Sequence, residues 1–211
     1  FYFIARSYKV PYVRERSEFP LLIRSPKRIK TKFYKVFILP WSYKLFDGMV
    51  IMTSPLIEFY SRYTRRKCHI VKIPMSVDSS RFELPDITRE KYIGYVGSLD
   101  RKKDGLDTLI MAFAKIHKEF PEYDLKIAGA PDRKEQETYL MELSAKNEVE
   151  NKVHLLGGKK REDIPQFLCA ASLLILARPA SKQAEGGFPT KLGEYLATGN
   201  PVIVSDVGEI T

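Results

Sequence analysis

The sequence predicts a doubly wound α/β protein, and three observations carry that reading. Short continuous apolar runs recur at Tyr92–Val96, Leu125–Ala128, Val153–Leu156, Leu173–Ala177 and Val202–Val204. Runs of this length suit strands buried on both faces of a parallel sheet. Helically spaced segments separate them, the clearest carrying Leu106, Leu109, Ile110, Phe113, Ile116 and Phe120 on one face. The last helix opens near Pro189 and closes at Gly199-Asn200, before Pro201 leads into the final apolar run. Strand and helix alternating in this way mean βαβ units around a parallel sheet.

Taken in order, the first 90 residues are less regular. The stretch from Lys27 to Phe46 is expected to be largely helical, with Pro40 kinking or breaking it. Met49–Thr53 reads as a strand, Pro55–Tyr63 as a helix and His69–Pro74 as another strand, and residues 76–89 as a connector. Beyond it, Tyr139, Leu140 and Leu143 mark a second helix, and Ile164, Phe167 and Leu168 a short third one. This divides the chain into residues 1–80, the end of a first α/β domain with its linker, and residues 81–211, a second one. With no recognisable beginning and no closing helix, the expectation is an internal piece of a longer protein.

Of 211 residues, 44% are apolar and 29% charged, which suits a globular chain and argues against disorder. The net charge of +9 is uneven: residues 1–90 hold 18 lysines and arginines against 8 acids, residues 91–211 hold 17 against 18. A basic, aromatic segment of this kind suits an anionic partner, or simply a solvated positive face. Cys68 and Cys169 are too few for a disulfide framework and read as reduced thiols of a cytoplasmic protein. His69, His117 and His154 lack metal-ligand spacing, and the apolar stretch 36–52 is interrupted by Pro40, Lys44 and Asp47, a poor membrane span.

The densest chemistry lies between Glu185 and Val204. A carboxylate, Glu185, stands beside Gly186 and Gly187; Phe188, Pro189, Thr190 and Lys191 open a helix; and Glu194 sits one turn in. A helix N-terminus presents unpaired N–H groups and a positive dipole end, which attract phosphate. A carboxylate just inside it can accept hydrogen bonds from sugar hydroxyls. Gly97 and Gly105 bracket a loop containing Ser98, Arg101 and Lys103, where backbone can approach a ligand closely. Arg178 and Pro179 follow a strand end, at the rim where such sheets bind ligands. Together these residues suggest a pocket for a nucleoside diphosphate that carries a sugar.

Several stretches, in order, resemble the retaining GT-B glycosyltransferases of family 4, the "glycosyl transferases group 1" class. They are Lys72–Asp78 with Arg81-Phe82, Tyr95–Leu99 with Lys103–Leu109, Leu125–Gly129, Val153–Gly157, and Pro189–Ala197 followed by Gly199 and Pro201-Val202. The likeness covers about residues 47–211. It implies a GT-B fold whose C-terminal domain holds a UDP- or GDP-linked sugar donor, with no cofactor and no metal. It implies hexosyl transfer with retention to a glycan or lipid-linked acceptor, with this piece alone expected to be weakly active or inactive; such acceptors belong to cell-envelope polysaccharide synthesis at the inner membrane face. Lys103 and Glu185 take the catalytic roles in this reading. Gly97, Ser98, Arg101, Lys103, Gly186, Gly187, Phe188, Pro189, Thr190, Lys191 and Glu194 hold the donor.

Two positions depart from the family. Glu185 and Glu194 enclose eight residues where the family has seven, so either a longer loop carries Glu185 to the sugar or another residue takes its role. Ser98 stands where the family often has arginine, leaving Arg101, Lys102 or Lys103 to supply the charge. Two alternatives stay open: another nucleotide-sugar enzyme such as an epimerase, and a basic module binding anionic surfaces or nucleic acid, for which no recognition motif is present. Charge-assisted contacts are worth roughly 1.5–3 kcal/mol. At about 1.4 kcal/mol per decade, Lys103→Ala is expected to weaken nucleoside-diphosphate affinity about 10–150-fold by calorimetry, and unchanged affinity would remove Lys103 from the site.

Overall fold

The computed structural model describes residues 1–24 and 28–210, the side chains of Leu22, Arg24, Arg28, Arg101 and Lys102 excepted. The chain forms two compact units. The first comprises residues 1–75, 180–188 and 207–211, the second residues 76–179 and 189–206.

In the first unit three parallel strands, β1 (Val13–Arg16), β2 (Gly48–Ile51) and β3 (His69–Lys72), lie in that order. β2 is central and its Met49 and Ile51 are buried with Leu39, Tyr43, Leu56 and Tyr60. The Tyr43 and Tyr60 rings stack 4.9 Å apart, and the Tyr60 hydroxyl donates to Glu18 O at 2.9 Å. β1 has the sequence Val-Arg-Glu-Arg and is largely exposed at the sheet edge, so it carries no apolar run by which the sequence would announce it.

The expected helix from Lys27 is described from Arg28 on; Lys27 lies outside the described residues. It is not broken at Pro40. Arg28–Phe33 is α-helical, Tyr34–Ile38 is a π-helical turn, and Leu39–Tyr43 returns to α. Proline has no N–H and its ring crowds the carbonyl four residues back, so widening the preceding turn lets the helix continue. The helix Ser54–Ser61 follows β2; its N-cap Thr53 spends its hydroxyl on Gly186 O, at 2.7 Å, and Glu209 accepts from Ser54 N at 2.8 Å. That carboxylate thus serves a helix start from 155 residues away in sequence.

In the second unit the expected strands appear within one or two residues as β4 (Glu90–Val96), β5 (Asp124–Ala128), β6 (Val153–Leu155), β7 (Ala171–Leu176) and β8 (Val202–Val204). All pair in parallel, in the order β6-β5-β4-β7-β8, so the order reverses between β4 and β7. The helix Leu106–Ile116 buries Leu106, Leu109, Ile110 and Phe113. Ile116 and Phe120, expected on the same face, are 39% and 50% exposed, because the helix ends and the chain turns away toward β5. Helices Lys134–Lys146 and Ile164–Ala170 complete the expected pattern, and Thr190–Ala197 precedes β8.

Asp47 joins the strand starts of the first unit. Its carboxylate accepts from Tyr12 N, Arg6 and Arg65, each at 2.9 Å, while its own N–H donates to Tyr12 O and its carbonyl accepts from His69 N. The Tyr12 N–H, and then Arg6 and Arg65, hold its carboxyl below the ordinary 3.8 against the opposing effect of burial. A depressed carboxyl contributes stability above its unfolded pKa and loses it as pH falls through the folded one. Asp47→Ala is therefore expected to lower Tm at neutral pH, and the gap from the parent should close as the pH is brought below 3.8; calorimetry over that range checks it.

Candidate functional site

Parallel sheets bind ligands beyond their carboxyl ends where strand order reverses. Here that point lies between the loops after β4 and β7. β4 runs into Gly97, Ser98 and Leu99, then a single helical turn, Arg101–Asp104, and Gly105, which starts the helix Leu106–Ile116. Gly105 has φ +66°, and a Cβ on it would overlap the Ala177 carbonyl after β7. Only glycine allows these two loops to touch. The next residue after Ala177, Arg178, is 6% exposed.

Lys191 occupies the mouth of this loop. Rooted in the first turn of the helix Thr190–Ala197, its ammonium donates to Asp104 Oδ1 at 2.6 Å and to the Tyr95 hydroxyl at 2.8 Å. A Cβ on Gly97 would overlap that ammonium, so the missing side chain is what lets the charge rest on the backbone. Asp104 is 3% exposed, and its second oxygen, Oδ2, is buried with no hydrogen-bond partner among the described residues. Burial pushes the Lys191 pKa down; Asp104 opposes this, while Lys103 and Arg178 add to it. Burial and then Asp104 push the Tyr95 hydroxyl up, which keeps it a donor to Ser98 O at 2.8 Å. Tyr195, fully buried, accepts from Val96 N at 2.8 Å and braces the end of β4.

The sequence-selected residues divide between the two units. Gly97, Ser98, Lys103, Pro189, Thr190, Lys191 and Glu194 lie in the second unit; Glu185, Gly186, Gly187 and Phe188 lie in the first. Lys103 is exposed, its backbone N–H bonded to Asp100. The Ser98 hydroxyl accepts from Asp100 N at 3.1 Å. The Arg101 side chain lies outside the described residues. Glu194 is ion-paired to Arg81 at 3.3 Å, and Arg81 also donates to Arg161 O. Glu185 sits exposed on the short helix Lys182–Gly186, paired to Lys182 at 2.5 Å. Gly186 is buried so close against the Phe19 ring that a Cβ there would overlap it. Phe188 lines a pocket of about 390 Å³ with Met52, Lys72 and Glu209.

Sequence reasoning quoted Asp104, Tyr95, Tyr195 and Arg81 within longer stretches but gave none of them a role of its own. Asp104 stands between two residues singled out for the site, but only the fold shows its carboxylate turned inward. A wider cleft, about 760 Å³, lies elsewhere in the second unit, lined by Leu84, Thr88, Lys126, Lys159, Glu162 and Phe167. It includes no residue of the Gly97 loop. Its lining sets Arg81, Lys126 and Lys159 against Asp86, Glu90, Glu162 and Asp163, so it lacks the positive surplus a diphosphate requires.

The family model "Glycosyl transferases group 1" matches residues 76–211. No curated protein matches the sequence. Among solved structures, Anabaena HepE in complex with UDP superposes with a TM-score of 0.76 at 18% identity, over 98% of this chain and 56% of that one. The pneumococcal O-GlcNAc transferase GtfA in complex with UDP and GlcNAc gives 0.67 at 20% identity, over 98% and 39%. Sucrose-phosphate synthase from Thermosynechococcus elongatus gives 0.72 at 18%, over 100% and 55%. The chain spans about half the length of these structures or less, and the likeness is one of fold.

Proposed function

Because the chain belongs to the glycosyl transferases group 1 family, we propose that it carries the donor-binding side of an enzyme that moves a sugar from a nucleoside diphosphate to an acceptor. The observation that supports this most is the Lys191 ammonium lying on the Gly97 backbone at the reversal of strand order. The diphosphate lies over that loop, facing Lys191, Lys103 and Arg178, with the first-turn N–H groups of the Thr190–Ala197 helix adding dipole. During transfer the bond from the anomeric carbon to the diphosphate oxygen breaks and one to the acceptor oxygen forms. The electron pair goes to the diphosphate, whose departing oxygen takes up the acceptor hydroxyl's proton, and fixed positive charge there stabilises the leaving group. In this reading lysines do the work of a metal ion, so none is required. Glu194 turns from Arg81 to the ribose hydroxyls, and retention follows the family pattern. UDP is the favoured nucleotide, since two of the similar structures carry it.

A ligand that binds the native state stabilises it by RT ln(1 + [L]/Kd), about 1.4 kcal/mol at ten times Kd. UDP, GDP, ADP and their sugars are expected to separate in thermal melts of this chain, with a rise for UDP. Lys191→Met and Glu194→Ala should each reduce that rise. A folded sample indifferent to all of them counts against the donor site.

We also infer contact with an anionic bilayer, the finer part of the cell-envelope reading. No helix among the described residues is long and apolar enough to cross a membrane. The helical run from Arg28 to Tyr43, however, leaves Ile29, Phe33, Val36, Phe37 and Trp41 between 54% and 85% exposed. Residues 20–46 hold seven lysines and arginines and no acid. Apolar side chains ringed by unbalanced positive charge suit the headgroup boundary of an anionic leaflet. With about 1 kcal/mol per basic residue near such a surface, replacing Lys30 and Lys32 by Gln is expected to weaken co-sedimentation with phosphatidylglycerol vesicles roughly ten-fold or more. Equal binding to neutral vesicles, or none to either, removes this inference.

A further inference from the structure

We propose that Asp104 is the positioning residue of the donor site: sealed beneath the Gly97 loop, its carboxylate holds the Lys191 ammonium in place for the diphosphate. The inference rests on the donor reading above. Asp104 cannot meet the ligand itself, since it is 3% exposed and its unpartnered Oδ2 is buried. It acts through Lys191, 2.6 Å away.

The surroundings show why a carboxylate is needed. A cation in the first turn of a helix faces the positive end of the dipole. Lys191 is in that turn, largely buried, with Lys103 and Arg178 adding like charge. Facing it are Tyr95 on β4, Asp104 and Lys103 in the turn after β4, and Arg178 after β7. Asp100 lies in the same loop, and Glu194 and Tyr195 are on its own helix. Of these, Asp104 is the anion in direct contact, and Tyr95 supplies a neutral acceptor. Without Asp104, burial and like charges would favour loss of the proton or rotation of the side chain out to water. The backbone also fixes Asp104: its N–H donates to Asp100 O at 2.9 Å, and the next residue, Gly105, is pinned under Ala177. The carboxylate therefore stays while the lysine end can share itself with a phosphate oxygen.

The test compares the whole chain with Asp104→Asn and Asp104→Glu. The ε-methylene carbon of Lys191, assigned through Lys191→Arg, is followed by NMR through its titration without ligand, and UDP affinity is measured across the same pH range. An opposite charge at this range moves a pKa by about 1–3 units. Asp104→Asn is expected to lower the Lys191 midpoint by about one unit or more, and to move the pH at which UDP affinity falls by the same amount. Asp104→Glu should restore part of both. An unmoved midpoint, or a loss of affinity equal at every pH, overturns the proposal in favour of a merely structural carboxylate. Should Asp104→Asn fail to fold, the parent decides: a Lys191 NH₃⁺ signal protected from solvent exchange supports the pairing, and its absence overturns it. A moved midpoint in a protein that binds no nucleotide at any pH removes the donor reading instead, and with it the ligand for which Lys191 is held.

Discussion

The second unit depends on β4, which pairs with β5 on one side and β7 on the other. Strand order reverses beside it, so its carboxyl end opens into a crevice. The strand is anchored along its length. The Tyr92 hydroxyl donates to Phe167 O, Gly94 lies close against Leu174 and Ala171, and Tyr195 bonds to both the N–H and the carbonyl of Val96. Each aromatic ring takes its hydroxyl into the interior and finds a backbone partner there, as burial of a polar group demands. A loop leaving so firmly held a strand is rigid at its root, which suits a site that must present backbone to a charged ligand.

Charge within that site is arranged against local preference. A lysine in the first turn of a helix, under the surface and beside other cations, is disfavoured by dipole, desolvation and Coulomb repulsion together. The fold offsets this with Asp104, whose carboxylate has one oxygen on Lys191 and the other without a partner among the described residues. Buried ion pairs add little net stability, but removing one partner leaves the other charge buried and uncompensated. Departures from local preference of this sort concentrate at functional sites.

The first unit resolves a different conflict. Pro40 stands inside a helix that the core needs on both sides of it, since Leu39 and Tyr43 are buried and Thr31 lies under the first half. The π-helical turn Tyr34–Ile38 admits the ring without breaking the rod. Its opposite face, aromatic and basic, is left outward.

By itself the sequence determined the layered parallel architecture, because runs buried on both faces and helices buried on one face carry their periods openly. It determined the strands from Tyr92 onward to within a residue or two, and the placing of Gly97 just past a strand end and of Lys191 and Glu194 early in a helix. It left β1 hidden, since an exposed edge strand of alternating charges carries no apolar period. Tertiary structure alone decided that residues 180–188 pack with the first unit, where Gly186 meets Phe19 and Thr53. It also decided that Lys191, rather than Lys103, lies against the Gly97 backbone, and that Asp104 is its counter-ion. Local pattern records which face of an element is buried. Which charge meets which depends on side chains from separate elements converging at a strand end, and no spacing within one segment encodes that.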